Sequence, residues 1–321
     1  MKKQTIFRSL IAIAFIGSMT VGCKKNDTTT TTPADDTQQQ ATSADDENRV
    51  QTESDQALDD ANTAIQLVPT ASGRLDGIEG GGINPICNTT IDTTNKASGI
   101  IKIIYNGLNC DGTKSRTGNI KIQLSSPGGN VTKWKTQGAT LTLTFDTLKI
   151  TRISDGKAIT LNGTHSITNV NGGLIKNITA AGTVVHQIRG NMMITFDDGT
   201  NRTWAVTRTR TYSIANNILS VSLSGDSTIG TFNHIAMSGI NRAGEKFSIS
   251  INTPIFSNIF GGTCLYKALS GQRVFNGIAH PLTVNYGVDA NGVAEVSGCP
   301  YGYQLSWTNA AGVAKTKVVA Y

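Results

Sequence analysis

From Cys87 onward the chain alternates apolar and polar residues with a period of two, and this constrains the fold more than any other feature. Ile120-Lys121-Ile122-Gln123-Leu124, Leu141-Thr142-Leu143-Thr144-Phe145 and Leu219-Ser220-Val221-Ser222-Leu223 alternate, as do Phe247-Ser248-Ile249-Ser250-Ile251 and Leu282-Thr283-Val284-Asn285-Tyr286. Alternation of this kind marks strands with one buried face. Asp155-Gly156, Asp198-Gly199, Asn216-Asn217 and Asn291-Gly292 separate such runs, and these pairs favour tight hairpins. Strands joined by short turns pair antiparallel. The expected body is therefore all-β, a large antiparallel meander over residues 84–321, built as a sandwich or a curved open sheet. A candidate division into two β subdomains falls near 173–182. Charged residues make up only 16% of the 321, against about 25% in ordinary domains, which argues against a coiled coil or a polyelectrolyte tail.

The N-terminus reads as an export signal. Lys2, Lys3 and Arg8 precede an apolar stretch from Leu10 to Ile16, and small residues then lead to Cys23. Thr20-Val21-Gly22-Cys23 resembles the bacterial lipobox, in which a small residue precedes the acylated cysteine. The resemblance implies removal of residues 1–22 and lipidation of Cys23, and more than one acyl chain makes a stable anchor. Cys23-Lys24-Lys25-Asn26-Asp27 and the Thr run that follows look like the start of Bacteroidota lipoproteins. No second stretch is apolar enough to span a bilayer as a helix.

Residues 23–45 are rich in Thr, Gln, Asp and Ala and are expected to form a flexible tether. Residues 46–83 are expected to hold a short acidic helix and a Gly-rich joint at Gly77–Gly82. Ala57, Leu58, Ala61, Ala64, Ile65 and Val68 recur at helical spacing, Asp45 or Asp46 would cap the start, and Pro69 would stop it. Charge divides sharply here: residues 23–70 carry 3 basic and 10 acidic side chains, and residues 71–321 carry 22 basic and 12 acidic. Such an arm could fold back onto the basic body; the plainer expectation is a solvated arm.

Besides Cys23 there are four cysteines, an even number in an exported chain, which favours disulfides. Three pairings are open, and Cys87 with Cys110 and Cys264 with Cys299 is the local choice. No C-x-x-C and no cysteine–histidine cluster occurs, so neither a metal nor a cofactor is expected.

The motifs of the common hydrolases, P-loop proteins, zincins and dinucleotide-binding folds are missing. His165, His186, His234 and His280 stand singly in β patterns. Asp289-Ala290-Asn291-Gly292 looks like part of a calcium loop, but a tight turn explains it better. The sharpest positive signal is a hairpin whose second strand alternates Arg202, Trp204, Val206, Arg208, Arg210 and Tyr212 with Thr203, Ala205, Thr207, Thr209 and Thr211. A two-residue turn at Asp198-Gly199 would set Ile194 opposite Thr203 and Arg189 opposite Arg208. Like charges so opposed are destabilising, so either an anion relieves them or a three-residue turn flips the register. In the first case Arg189, Arg202, Arg208 and Arg210 form a cationic patch around Trp204 and Tyr212. Planar guanidiniums suit carboxylate, sulfate or phosphate, and aromatic faces suit sugar rings or cations. The competing reading is an ordinary solvated sheet face.

Ile104-Tyr105-Asn106-Gly107, then Cys110, is echoed by Val284-Asn285-Tyr286-Gly287, then Cys299. The order of these units across most of 84–321 resembles uncharacterised Bacteroidota outer-membrane lipoproteins with an all-β mature region. Asp27-Thr28-Thr29, Asp92-Thr93-Thr94, Asp146-Thr147-Leu148 and Asp226-Ser227-Thr228 resemble O-glycosylation acceptors of that group. The expectation is a protein of the cell envelope, lipid-anchored to the outer membrane and facing the periplasm or the surface. Its expected role is non-catalytic binding of an anionic or glycan ligand: an acidic glycan, lipopolysaccharide or an envelope protein, and not nucleic acid. The alternative is a structural accessory lipoprotein of an outer-membrane complex, with an envelope hydrolase less favoured.

Overall fold

The computed structural model describes residues 36–68, 71, 86–277 and 280–321. The signal, the lipobox, Asp27-Thr28-Thr29, Pro69 and the Gly-rich joint lie outside the described residues. One helix, α1 (Thr37–Gln66), precedes fifteen strands: β1 (Thr89–Asp92), β2 (Ile100–Leu108), β3 (Lys114–Ser125), β4 (Thr140–Arg152), β5 (Ala158–Asn169), β6 (Thr183–Phe196), β7 (Asn201–Ala215), β8 (Ile218–Gly225), β9 (Ser227–Ile229), β10 (Phe232–Ile240), β11 (Lys246–Phe260), β12 (Ala268–Asn276), β13 (Leu282–Val288), β14 (Gly302–Thr308) and β15 (Ala314–Ala320).

All strands belong to one sheet, and its ladders are antiparallel. The order follows the chain from β1 to β7, then passes through β10 to β15. A fork interrupts it, since β7 pairs with β10 over Thr203–Val206 and with β8 over Arg208–Ala215. No break divides the sheet near 173–182: β5 pairs with β6 along its whole length across that connection. Every alternating run named above lies in a strand, and its apolar side supplies the core residues Ile120, Ile122, Leu141, Leu143, Phe145 and Val284.

The sheet curls round the helix. Asp45, Asp46, Glu47 and Asn48 project from α1 in four directions, successive residues being about 100° apart. They meet Arg152 of β4, Arg242 of the β10–β11 turn, Arg202 of β7 and Arg273 of β12 respectively. Only a sheet that surrounds the helix can do this. Thr52 is accordingly the one exposed residue between Gln40 and Gln66. Curvature on this scale needs bulges and close strand approach. Register shifts occur beside Gly118, whose φ is 106° and where a Cβ would lie 2.4 Å from the Thr147 carbonyl oxygen.

α1 is longer than expected and starts inside the segment read as a tether. Asp36 precedes its first turn without a side-chain cap bond, while Asp45 and Asp46 sit well inside it. Residues 37–45 have little apolar character of their own. Trp307 Nε1 donates to Asp36 at 2.8 Å and Gln40 Nε2 to the His280 carbonyl at 3.4 Å, so tertiary contacts hold this turn where propensity does not. Residues 36–68 of the acidic arm are docked rather than solvated. Disulfides join Cys87 to Cys110 and Cys264 to Cys299.

Candidate functional site

The β6–β7 hairpin decides where the arginines point. Its turn has three residues: Phe196 N–H donates to the Thr200 carbonyl at 2.9 Å, and Gly199 closes it with φ 79°. The left-handed residue adds one to the count, and the register flips from the two-residue expectation. Arg202 now faces Ile194, Arg208 faces Ile188 and Arg210 faces His186. Arg189 lies opposite Thr207 on the outer face, half-exposed, with Asp226 at 3.2 Å. The like-charge pairing with Arg208 does not occur.

Arg202, Trp204, Arg208 and Arg210 are therefore buried against the acidic helix, and Tyr212 is buried beside Arg210 in a small cluster with Val184 and Val221. Arg202 pairs with Glu47, to which Trp204 Nε1 also donates at 3.2 Å. Arg208 pairs with Asp55, and Arg210 with Asp59 at 3.3 Å. Guanidiniums also stack on rings: Arg208 over Trp204 at 5.6 Å, Arg210 over Tyr212 at 5.1 Å and Arg202 over Phe247 at 4.3 Å. Arg202, Trp204, Arg208, Arg210 and Tyr212 share one face of β7, Arg189 lies on the other face of the sheet, and α1 pairs with the three arginines and Trp204.

The tyrosine echo has a structural counterpart. Tyr105 donates to Asp60 at 2.8 Å with Arg116 over its ring, and Tyr286 donates to Asn48 at 2.8 Å with Arg273 over its ring. All three tryptophans of the chain give their indole N–H to α1 or the residue before it, the third pair being Trp134 with Asn62 at 2.9 Å.

Burial sets the electrostatics of this interior. His165 and His186 are held down to about 3, first by loss of water and then by Arg208 and Arg210 respectively. The Asp60 carboxyl is pushed up by burial, against the opposing pull of Arg116. Burial also lowers the pKa of Arg208 despite its carboxylate partner. The helix does not satisfy every donor. Arg202 Nε, Arg208 Nε and Nη1, Arg273 Nε and the Tyr212 hydroxyl are buried with no hydrogen-bond partner among the described residues. Groups in that condition are costly.

An opening among the described residues reaches Arg202. A cavity of about 210 Å³ lies between the first turns of α1 and the β10–β12 region, and Asp46, Arg202, Arg242, Phe247 and Phe275 line it. Arg242 donates to Asp46 at 2.5 and 2.7 Å and to Asp198 at 3.1 Å, and stacks on Phe196 at 3.9 Å. Sequence reasoning missed Arg242, which sits in the turn Asn241-Arg242-Ala243-Gly244, and also Arg116 and Arg273. The available signal was the excess of basic side chains after residue 70, of which the alternating arginines were only the densest part.

The other candidates have local duties. Asp289 accepts from the backbone N–H of Asn291 and Val293, both at 2.9 Å, which closes its own turn and lowers its pKa. His234 is exposed, and His280 lies 4.0 Å from Asp36. Fold and site together define a curled antiparallel sheet filled by an acidic helix. No family model, curated protein or solved structure matches the chain.

Proposed function

We propose that this is a lipid-anchored cell-envelope protein that binds an anionic ligand without catalysis. The observation that carries the reading is the seam cavity, which both Arg202 and Arg242 line. Arg242 is the accessible one, its side chain 27% exposed, and it already donates to two carboxylates from different elements. The anchor reading rests on the lipobox resemblance at Cys23. Retention on immobilised lipopolysaccharide and on an acidic polysaccharide tests the binding. Asp46→Asn removes the internal competitor and should raise retention, whereas Arg242→Gln should lower it. Equal retention of parent and both variants, with unchanged circular dichroism, would overturn the reading.

A second reading, an accessory lipoprotein, draws on a different surface. Phe260, Tyr266 and Val296 are 69, 73 and 94% exposed, on or beside two loops that the Cys264–Cys299 disulfide ties together. Tyr266 also has a φ of 61°, a genuine outlier for a bulky residue. Crosslinking in intact cells should capture one stoichiometric partner that Tyr266→Ser with Phe260→Ser loses; no such partner would dismiss this role.

A further inference from the structure

We infer that the free edge of β15 takes up an extended, carboxylate-bearing segment of a partner protein as an added strand. The edge shares no residue with the seam cavity, so the inference stands apart from the anion reading. β1 and β15 end the strand order and form no ladder with each other, which leaves the curl open. β1 has four residues and β15 seven. β15 pairs with β14 from Ala314 to Ala320 without a bulge or a proline, and no other described strand pairs with it. Tyr321 N–H donates to the Tyr301 carbonyl and Asn309 N–H to the Val313 carbonyl, both at 3.0 Å. Antiparallel bonding alternates along a ladder, so the odd-numbered residues between them turn their backbone groups to β14. Ala314, Thr316, Val318 and Ala320 turn theirs outward, where no described residue bonds to them. A row of this kind is a template for another strand.

The side chains select the occupant. Lys315 and Lys317 stand opposite Trp307 and Leu305, on the side of the sheet that carries the core. Both lysines are nevertheless exposed, as no described strand continues the sheet past them, and neither is ion-paired among the described residues. Lysine on an edge guards against self-association, and the register shows how. Two copies pairing antiparallel about Thr316 would set Lys315 against Lys317, and pairing about Lys317 would set that residue against itself. Like charges so opposed are destabilising. A strand with carboxylates at alternate positions meets both lysines on one face and takes all the outward backbone groups.

The test is binding of labelled, capped heptapeptides to the full mature chain, read by fluorescence anisotropy. One peptide alternates threonine and glutamate, one alternates threonine and lysine, and a third is the glutamate peptide N-methylated at alternate residues. The glutamate peptide should bind roughly tenfold more tightly than the lysine peptide, the scale of two exposed ion pairs, and salt should shrink the difference. N-methylation deletes the ladder donors and should abolish binding. Lys315→Glu with Lys317→Glu should invert the charge preference. Thr316→Pro removes one outward N–H and no bond to β14, and should weaken the glutamate peptide about fivefold, the scale of one hydrogen bond. The N-methylated peptide probes the same bonds in the parent chain, so the test does not depend on that variant folding. Equal binding of the two charged peptides, binding that survives N-methylation, or a preference unmoved by the lysine swap would each overturn the proposal, as would no binding at all. A parent dimer that Thr316→Pro converts to monomer would assign the edge to a second copy and overturn the partner. The lysine swap leaves the seam cavity untouched, so failure here is distinct from failure of the anion reading.

Discussion

Neither ring nitrogen of His186 has a hydrogen-bond partner among the described residues, and the ring sits 5.1 Å from both Trp134 and Tyr212. It behaves as an aromatic filler that carries a titratable liability. Its folded pKa, about 3, lies below the ordinary 6.5, so the unfolded chain takes up a proton in a range where the folded one does not. The stability this group contributes is complete above pH 6.5 and drains away as pH falls toward 3. At pH 5 the loss is about 2 kcal/mol, from 1.36 kcal/mol per pH step. His186→Leu should therefore leave stability near the parent value at pH 7 and lose about 2 kcal/mol less on going to pH 5. Urea midpoints at the two pH values measure this, and identical pH dependence in parent and variant would contradict it. His165 carries the same sign with a pKa also near 3, so the parent should be distinctly acid-sensitive.

At the scale of elements, α1 docks mainly through charge. Its buried apolar residues are few and small, chiefly Ala44, Ala57, Ala61 and Ala64 with Val50, Leu58 and Ile65. Glu47, wholly buried, holds both Arg202 and Trp204. Glu47→Ala strands a buried guanidinium and should cost about 3–5 kcal/mol. Glu47→Leu combined with Arg202→Met removes both charges and should recover most of that loss, since an apolar pair of similar volume is often neutral or better. A double variant no more stable than Glu47→Ala in urea unfolding would mean the pair does something other than neutralise itself. The same element shows where sequence reasoning stops. The strands were legible because alternation records burial directly, and the disulfide partners because they are local. The first turns of α1 were not, since Thr37 to Asp45 has no apolar stripe and its signal is the sign of its charge opposite a basic sheet. The β7 arginines were legible as one face, but whether that face turns inward depended on one residue in the turn. Asp197-Asp198-Gly199 accommodates either count, and only the packed sheet decides.

For the whole molecule, the anchor proposed at Cys23 and the described body make separable demands. The described body begins at Asp36, 13 residues after the cysteine read as lipidated. A stretch that long reaches at most about 45 Å when extended, so an acylated Cys23 would keep Asp36 within that distance of the lipid it is attached to. Folding of the body owes nothing to the anchor on this account. Its staples are internal: Cys87–Cys110 and Cys264–Cys299 span 23 and 35 residues, and loops of that size contribute about 3–4 kcal/mol each in the chain-entropy account. Cys23→Ala should move the protein from the membrane to the soluble fraction while leaving the urea midpoint and both disulfides as in the parent. Cys264→Ser with Cys299→Ser should do the reverse, keeping the protein on the membrane and lowering unfolding free energy by about 3–4 kcal/mol. Fractionation, intact mass and urea titration of the two variants together check this. A Cys23→Ala protein still sedimenting with membranes would mean that the body, and not an acyl group, makes the attachment.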